Sequence, residues 1–222
     1  MRRRHLWLLP LLAALPAGRG AVAQPVPNGR AAPRAGAGEA GAPGGLLGAA
    51  DALRLLRRGG LNLYLRHGIT DRAQADTGVL EQRAAQRNLS AAGEAQARAL
   101  GIALRRLRVP VAEVLTSPVF RARDTAELAF GAAQVHPALV ADDYTRRDPR
   151  QDAAEVSALL ARPVAGGNRV LVGHIVPLGL VLGRGLSQAE FPEGALALFQ
   201  PQGAAWRFLG IVPAEALIDA QG

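Results

Sequence analysis

Hydrophobic and polar positions between about residue 47 and residue 213 switch repeatedly between a helical period and short apolar runs. Leu47 to Arg58 has helical spacing and is closed by Gly59-Gly60. Leu61-Asn62-Leu63-Tyr64-Leu65 is a run suited to a central parallel strand. Ser90 is placed to cap a helix in which Leu100, Ala103, Leu104 and Leu107 form one stripe and Arg98, Arg105 and Arg106 lie outside it. Pro110 stops that helix, and Val111 to Thr116 reads as a strand. Ser117 as N-cap and Pro118 at the first helical position predict a helix with Ala122, Thr125, Ala126 and Ala129 buried. A third strand is expected over Gln134 to Val140, a helix over Asp152 to Leu160, a fourth strand over Arg169 to Gly173 and a short helix over Pro177 to Leu182. Ala195 to Gln200 and Trp206 to Val212 read as a closing hairpin. Strand and helix in alternation predict an α/β fold: a three-layer α/β/α sandwich around a mostly parallel central sheet.

The pattern also sets the boundaries. Met1-Arg2-Arg3-Arg4-His5 is a positive start, Leu6 to Ala17 an apolar stretch broken by Pro10 and Pro16, and Ala21-Val22-Ala23 a small-x-small cleavage signature. Residues 1–23 therefore read as a signal peptide, which predicts a periplasmic or secreted protein. The apolar stretch is too short for ~30 Å of hydrocarbon, so no stable membrane insertion is expected once it is removed. Residues 24–46 are Pro, Gly and Ala with no periodicity and read as a disordered linker. The folded domain is expected over 47–213, with 214–222 a short tail.

Composition changes this picture in three ways. Aromatic residues make up 4% of the chain, so the core rests on Leu, Val, Ile and Ala. The formal charge of +8 would suggest a nucleic-acid partner, but every basic residue is arginine. Removing Arg2, Arg3, Arg4 and Arg19 leaves 22 arginines against 18 acidic residues, or +4. Those that remain are scattered along helices without aromatic residues between them, so no nucleic-acid binding is expected. With no cysteine, disulfide and thiol chemistry are excluded.

The candidate chemistry lies at strand ends. Arg66-His67 follows the first strand, Ser117 to Arg121 the second, and His174 the fourth. In an open α/β sheet these junctions share the edge where ligands bind. Of the four histidines, His5 falls in the signal and His136 sits beside Pro137, which leaves His67 and His174. Arg121, in the first turn of its helix, adds charge where free backbone N–H groups already favour an anion. Two forked guanidinium groups and two imidazoles suit a tetrahedral dianion. A divalent metal is the rival for two histidines. It needs about three or four neutral or anionic ligands, whereas Arg66 and Arg121 repel a cation, so no metal and no other cofactor is expected.

Arg66-His67-Gly68-Ile69-Thr70, Thr116-Ser117-Pro118-Val119-Phe120-Arg121-Ala122-Arg123-Asp124-Thr125-Ala126 and Val172-Gly173-His174 together resemble the three signatures of the histidine phosphatase superfamily, the phosphoglycerate-mutase-like fold. Gln86-Arg87-Asn88-Leu89-Ser90 with Gly93 is similar to its exported bacterial members. The resemblance implies a metal-independent phosphomonoester hydrolase acting on a phosphorylated small molecule or a phosphorylated envelope component. It makes His67 the nucleophile and Arg66, Arg121, His174 and Thr70 the groups that bind phosphoryl oxygens. The family usually supplies a general acid either as Glu after the third strand or as Asp directly after the second histidine. Ile175 stands in the second place, and Asp142 and Asp143 are the acids on offer for the first. That departure sustains an alternative, a non-catalytic phospho-ligand-binding or regulatory protein that keeps the pocket.

Overall fold

The computed structural model describes residues 45–221, so the expected signal and nearly all of the linker lie outside the described residues. The elements are α1 (Ala49–Arg58), β1 (Asn62–Arg66), α2 (Ala91–Arg106), β2 (Val111–Thr116), α3 (Phe120–Phe130), β3 (Gln134–Val135), α4 (Pro149–Ala161), β4 (Asn168–Gly173), α5 (Ile175–Leu182), β5 (Leu196–Gln202), β6 (Ala205–Val212) and α6 (Ala214–Ile218). The strands form one sheet in the order β3-β2-β4-β1-β5-β6. Its first four strands are parallel, and β5 and β6 add an antiparallel hairpin beside β1.

Both faces of the sheet are covered, which is why the central strands read as unbroken apolar runs. Leu63, Leu65, Val170 and Val172 point to one face, where they pack under α1, α2, α3 and α6. Tyr64, Leu171, Ala197 and Phe199 point to the other, against Val156, Leu159 and Leu160 of α4 and Leu178 of α5. The stripe Leu100, Ala103, Leu104 and Leu107 is buried as its spacing predicts. Among the described residues no helix is long and apolar enough to cross a membrane.

Three elements differ from the expectation. The third helix begins at Phe120 with Val119 as its N-cap, because the Ser117 hydroxyl accepts the Val119 N–H within a turn that precedes the helix. The third strand is two residues long. After it the His136 ring nitrogen accepts the Ala138 N–H and a 3-10 turn starts at Pro137, which supplies no backbone donor for a ladder. The stretch read as a tail carries α6, whose Ala214 and Leu217 are fully buried in the same core as α1 and α2.

Candidate active site

Strand register brings the histidines together. β1 pairs with β4 so that Arg66 stands opposite Gly173, and β2 with β4 so that Thr116 stands opposite Val172. The residues that follow, His67, His174 and Ser117, leave the sheet side by side at one edge. The rings of His67 and His174 have centroids 5.2 Å apart. Gly173 is dictated by this packing, since a Cβ there would lie 2.2 Å from the Tyr64 hydroxyl. That hydroxyl donates to the His174 carbonyl and accepts the His174 N–H, both at 3.0 Å, and so fixes the backbone at the second histidine. Gly93 near the start of α2 is dictated in the same way, because a Cβ would overlap the Ile69 carbonyl.

A carbonyl acceptor assigns the tautomer of His67. His67 Nδ1 donates to the Gly68 carbonyl at 2.9 Å, which leaves Nε2 with its lone pair. Ser117 Oγ accepts the Val119 N–H and lies 2.9 Å from His174 Nε2. The other ring nitrogen of His174, Nδ1, is buried without a partner. Thr125 links the two ends of the site: its hydroxyl donates to the Arg121 carbonyl at 2.7 Å and accepts the Gly68 N–H at 2.9 Å.

Arg66, Arg121, His67 and His174 are all nearly fully buried. Arg66 donates to the Phe191 carbonyl, and Arg121 Nη1 donates to Asp76 at 2.9 Å, but neither Nε has a partner. Sequence reasoning placed Arg87 in a motif without giving it a role. Its Nε is also buried and unpartnered, and its charge acts on both imidazoles alongside those of Arg66 and Arg121. Burial, and then Arg121, hold both histidines well below the ordinary value of 6.5, so both rings are neutral at neutral pH. Burial also draws Arg66 down to about 10, with Glu193 opposing and Arg72, Arg87 and Arg121 assisting, which leaves it charged.

The loop from Asp71 to Leu89 is tied down, and the motif Gln86 to Ser90 does the tying. Gln86 is buried; its amide donates to the Leu80 carbonyl and its oxygen accepts the Phe120 N–H at the start of α3. Asn88 donates to Gln74, Arg83 and Gln86, and Ser90 caps α2 through the Gly93 N–H. Arg87, between Gln86 and Asn88, is half-buried with its Nε out of reach of solvent.

The remaining expected residues fall in different places. Thr70 is buried, but its hydroxyl donates to Glu193 Oε1 at 2.8 Å instead of being free for a substrate. Glu193 also pairs with Arg72 at 3.3 Å and lies 4.0 Å from Arg66. Asp143 is exposed. Asp142 is half-buried within the field of Arg121, and burial and then Asp143 raise its carboxyl above the ordinary carboxylate value. Asp76, Tyr144 and Glu193 are site residues that the sequence did not single out as such.

The model of the histidine phosphatase superfamily (branch 1) matches residues 63–143. Over that stretch the chain is similar to the histidine phosphatase superfamily. The matched stretch carries Arg66, His67, Arg121 and Asp142 and ends before β4, so the place of His174 comes from the sheet register. Among solved structures, the protein histidine phosphatase SixA complexed with tungstate is 21% identical at a TM-score of 0.52, covering 71% of this chain and 99% of that one. The product of the open reading frame Rv3214 of Mycobacterium tuberculosis is 18% identical at a TM-score of 0.50, covering 67% and 95%. These likenesses show the histidine-phosphatase fold. No curated protein matches the chain by sequence.

Neutral buried histidines make stability depend on pH. Both are depressed in the folded protein and ordinary in the unfolded chain, so below about 6.5 the unfolded chain binds protons that the folded one refuses. Stability is therefore full above that value and falls as the pH drops below it, by up to about 1.4 kcal/mol per pH unit for each ring. In phosphate-free buffer the melting temperature should drop between pH 7 and pH 5.5, and a His67→Asn, His174→Asn double variant should flatten the slope. An equal slope in both proteins would assign it to other groups.

Proposed function

We propose that the chain is a member of the histidine phosphatase superfamily and hydrolyses phosphate monoesters through a phosphohistidine on His67, without a metal ion. What carries the reading is the set of buried nitrogen atoms without partners on the residues that act on His67. Arg66 Nε, Arg87 Nε, Arg121 Nε and His174 Nδ1 are unpartnered, the three guanidinium charges act on the His67 ring, and that ring's own Nδ1 is committed to Gly68. Buried donors left unmade cost ~1–3 kcal/mol each, and charged ones more, so such a group is built to be satisfied by an anion.

His67 Nε2 attacks phosphorus in line, and the bond from phosphorus to the leaving oxygen breaks as the nitrogen–phosphorus bond forms. The three guanidinium groups carry the charge that builds on the equatorial oxygens, the task a magnesium ion performs in other phosphoryl-transfer enzymes. The leaving oxygen takes its proton from Asp142, whose raised carboxyl suits a donor. Water then attacks the phosphohistidine and gives a proton to the Asp142 carboxylate, the nitrogen–phosphorus bond breaks with its electron pair returning to Nε2, and orthophosphate leaves with His67 and Asp142 restored. The substrate is a phosphorylated small molecule or a phosphorylated component of the cell envelope. Residues 1–23 would export the chain to meet it.

Turnover of para-nitrophenyl phosphate between about pH 4 and pH 8 tests the reading. Activity is expected to survive a chelator. Full loss with EDTA, restored by zinc, would overturn the metal-free mechanism. Phosphate binding without any turnover would make the chain a binder.

A further inference from the structure

One carboxylate reaches into this cationic pocket. Asp76 Oδ1 accepts from Arg121 Nη1 at 2.9 Å, from the Arg87 backbone N–H at 2.9 Å and from the Tyr144 hydroxyl at 2.6 Å, and Oδ2 lies 3.2 Å from the same Arg121 nitrogen. Its side chain is 14% exposed. The loop that carries it is anchored by Leu80, which packs on a separate apolar cluster of Val119, Val140, Ala141 and Tyr144. The contact is thus built by two segments about 65 residues apart and is not a chance meeting of surface charges.

An anion bonded to the arginine that must hold another anion has an energetic consequence. We propose that Asp76, held by Tyr144, is a built-in counter-charge that weakens the pocket's grip on orthophosphate and so promotes release of the product. This rests on the phosphatase reading above. Asp76 is unsuited to be the proton donor: burial raises its carboxyl, but the bonds from Tyr144, Arg87 and Arg121 outweigh that and leave it below its ordinary value, hence ionised. Nor is bracing the Arg121 fork its whole role, since the guanidinium is buried and its backbone is fixed through Thr125. What it contributes is negative charge. With Arg66, Arg87 and Arg121 facing two neutral rings, the cradle without carboxylates would carry three positive charges, and a dianion would leave slowly. Glu193 offsets the Arg66 side more weakly, at 4.0 Å and shared with Thr70 and Arg72.

The test is calorimetric titration of inorganic phosphate into the full chain and its variants. Asp76→Asn keeps an acceptor oxygen for Tyr144, Arg121 and Arg87 while removing the charge. It is expected to bind phosphate about tenfold more tightly, with product inhibition of para-nitrophenyl phosphate turnover stronger by the same factor. Phosphate should also raise its melting temperature more than that of the unaltered chain. Asp76→Ala should move in the same direction by less, because the Arg121 fork loses its brace. Tyr144→Phe, which keeps the charge, should change the affinity less than about threefold. Unchanged or weaker phosphate binding in folded Asp76→Asn would overturn the proposal and leave Asp76 a brace only. Failure of the unaltered chain to bind phosphate would instead overturn the phosphate-site reading beneath it.

Discussion

His67→Ala is expected to remove turnover of para-nitrophenyl phosphate by a factor of about 10⁴ or more, while orthophosphate still binds. The size follows from the absence of a substitute. His174 is the only other imidazole in the cradle, and its Nε2 is engaged with Ser117. In the proposed reaction its Nδ1 donates to a phosphoryl oxygen, which leaves no lone pair for phosphorus. Binding survives because the guanidinium groups of Arg66, Arg87 and Arg121 remain, and they supply the attraction for the dianion. The fold should survive too, since the His67 ring makes one side-chain hydrogen bond, to its neighbouring carbonyl, and its backbone is held separately by Gly173 and Gly194. Steady-state kinetics, phosphate titration and a thermal melt check all three statements. A variant within tenfold of the unaltered rate would mean that the nucleophile is elsewhere. Trapping offers a second check: an acid-labile phosphoenzyme should form in the unaltered chain and be missing in the variant.

The parts of this site that were legible in the sequence are those set by secondary structure. An apolar run that ends in a polar residue is a strand reaching the edge of a parallel sheet. His67 and His174 could therefore be placed at one edge before any contact was known, and the β1–β4 register puts them there. Ser90 declared itself as a cap because its side chain acts three residues away. What was illegible depends on loops. Asp76 meets Arg121 across 45 positions and Tyr144 across 68, and no periodicity links them. In the sequence Thr70 reads as a pocket hydroxyl and Ser117 as a helix cap. Yet Glu193, 123 residues on, takes the first, and the second meets His174 Nε2. The C-terminal helix was missed because five residues carry too little pattern, although Leu217 buries fully and Gln96 of α2 donates to Glu215 at 2.8 Å. Local propensity thus located the catalytic edge, while tertiary contacts decided which polar groups are free to act and which are engaged with one another.

Arg121→Ala should lower kcat for para-nitrophenyl phosphate by about 10³, with a smaller change in KM. Arg121 is the cation whose charge weighs most on both imidazoles, and its Nε is one of the unpartnered donors. The equatorial oxygens gain charge as the leaving bond stretches, so a fixed guanidinium holds the transition state more strongly than the bound substrate, and its loss appears in kcat. Arg121→Lys retains a charge but not the fork, and an ammonium cannot bond Asp76 and an oxygen of the phosphoryl group in one plane; it should recover only about tenfold of the loss. Stability moves less than the removal of a buried ion-pair partner usually implies. Asp76 keeps the Tyr144 hydroxyl and the Arg87 N–H, and the repulsion of Arg121 on Arg66 and the pressure on the histidines are relieved at the same time. A melt within a few degrees of the unaltered chain together with a thousandfold lower kcat would place the defect in the chemistry. If instead KM rose and kcat stayed, the guanidinium would be binding the ground state alone, and Arg66 and Arg87 would have to carry the transition-state charge between them.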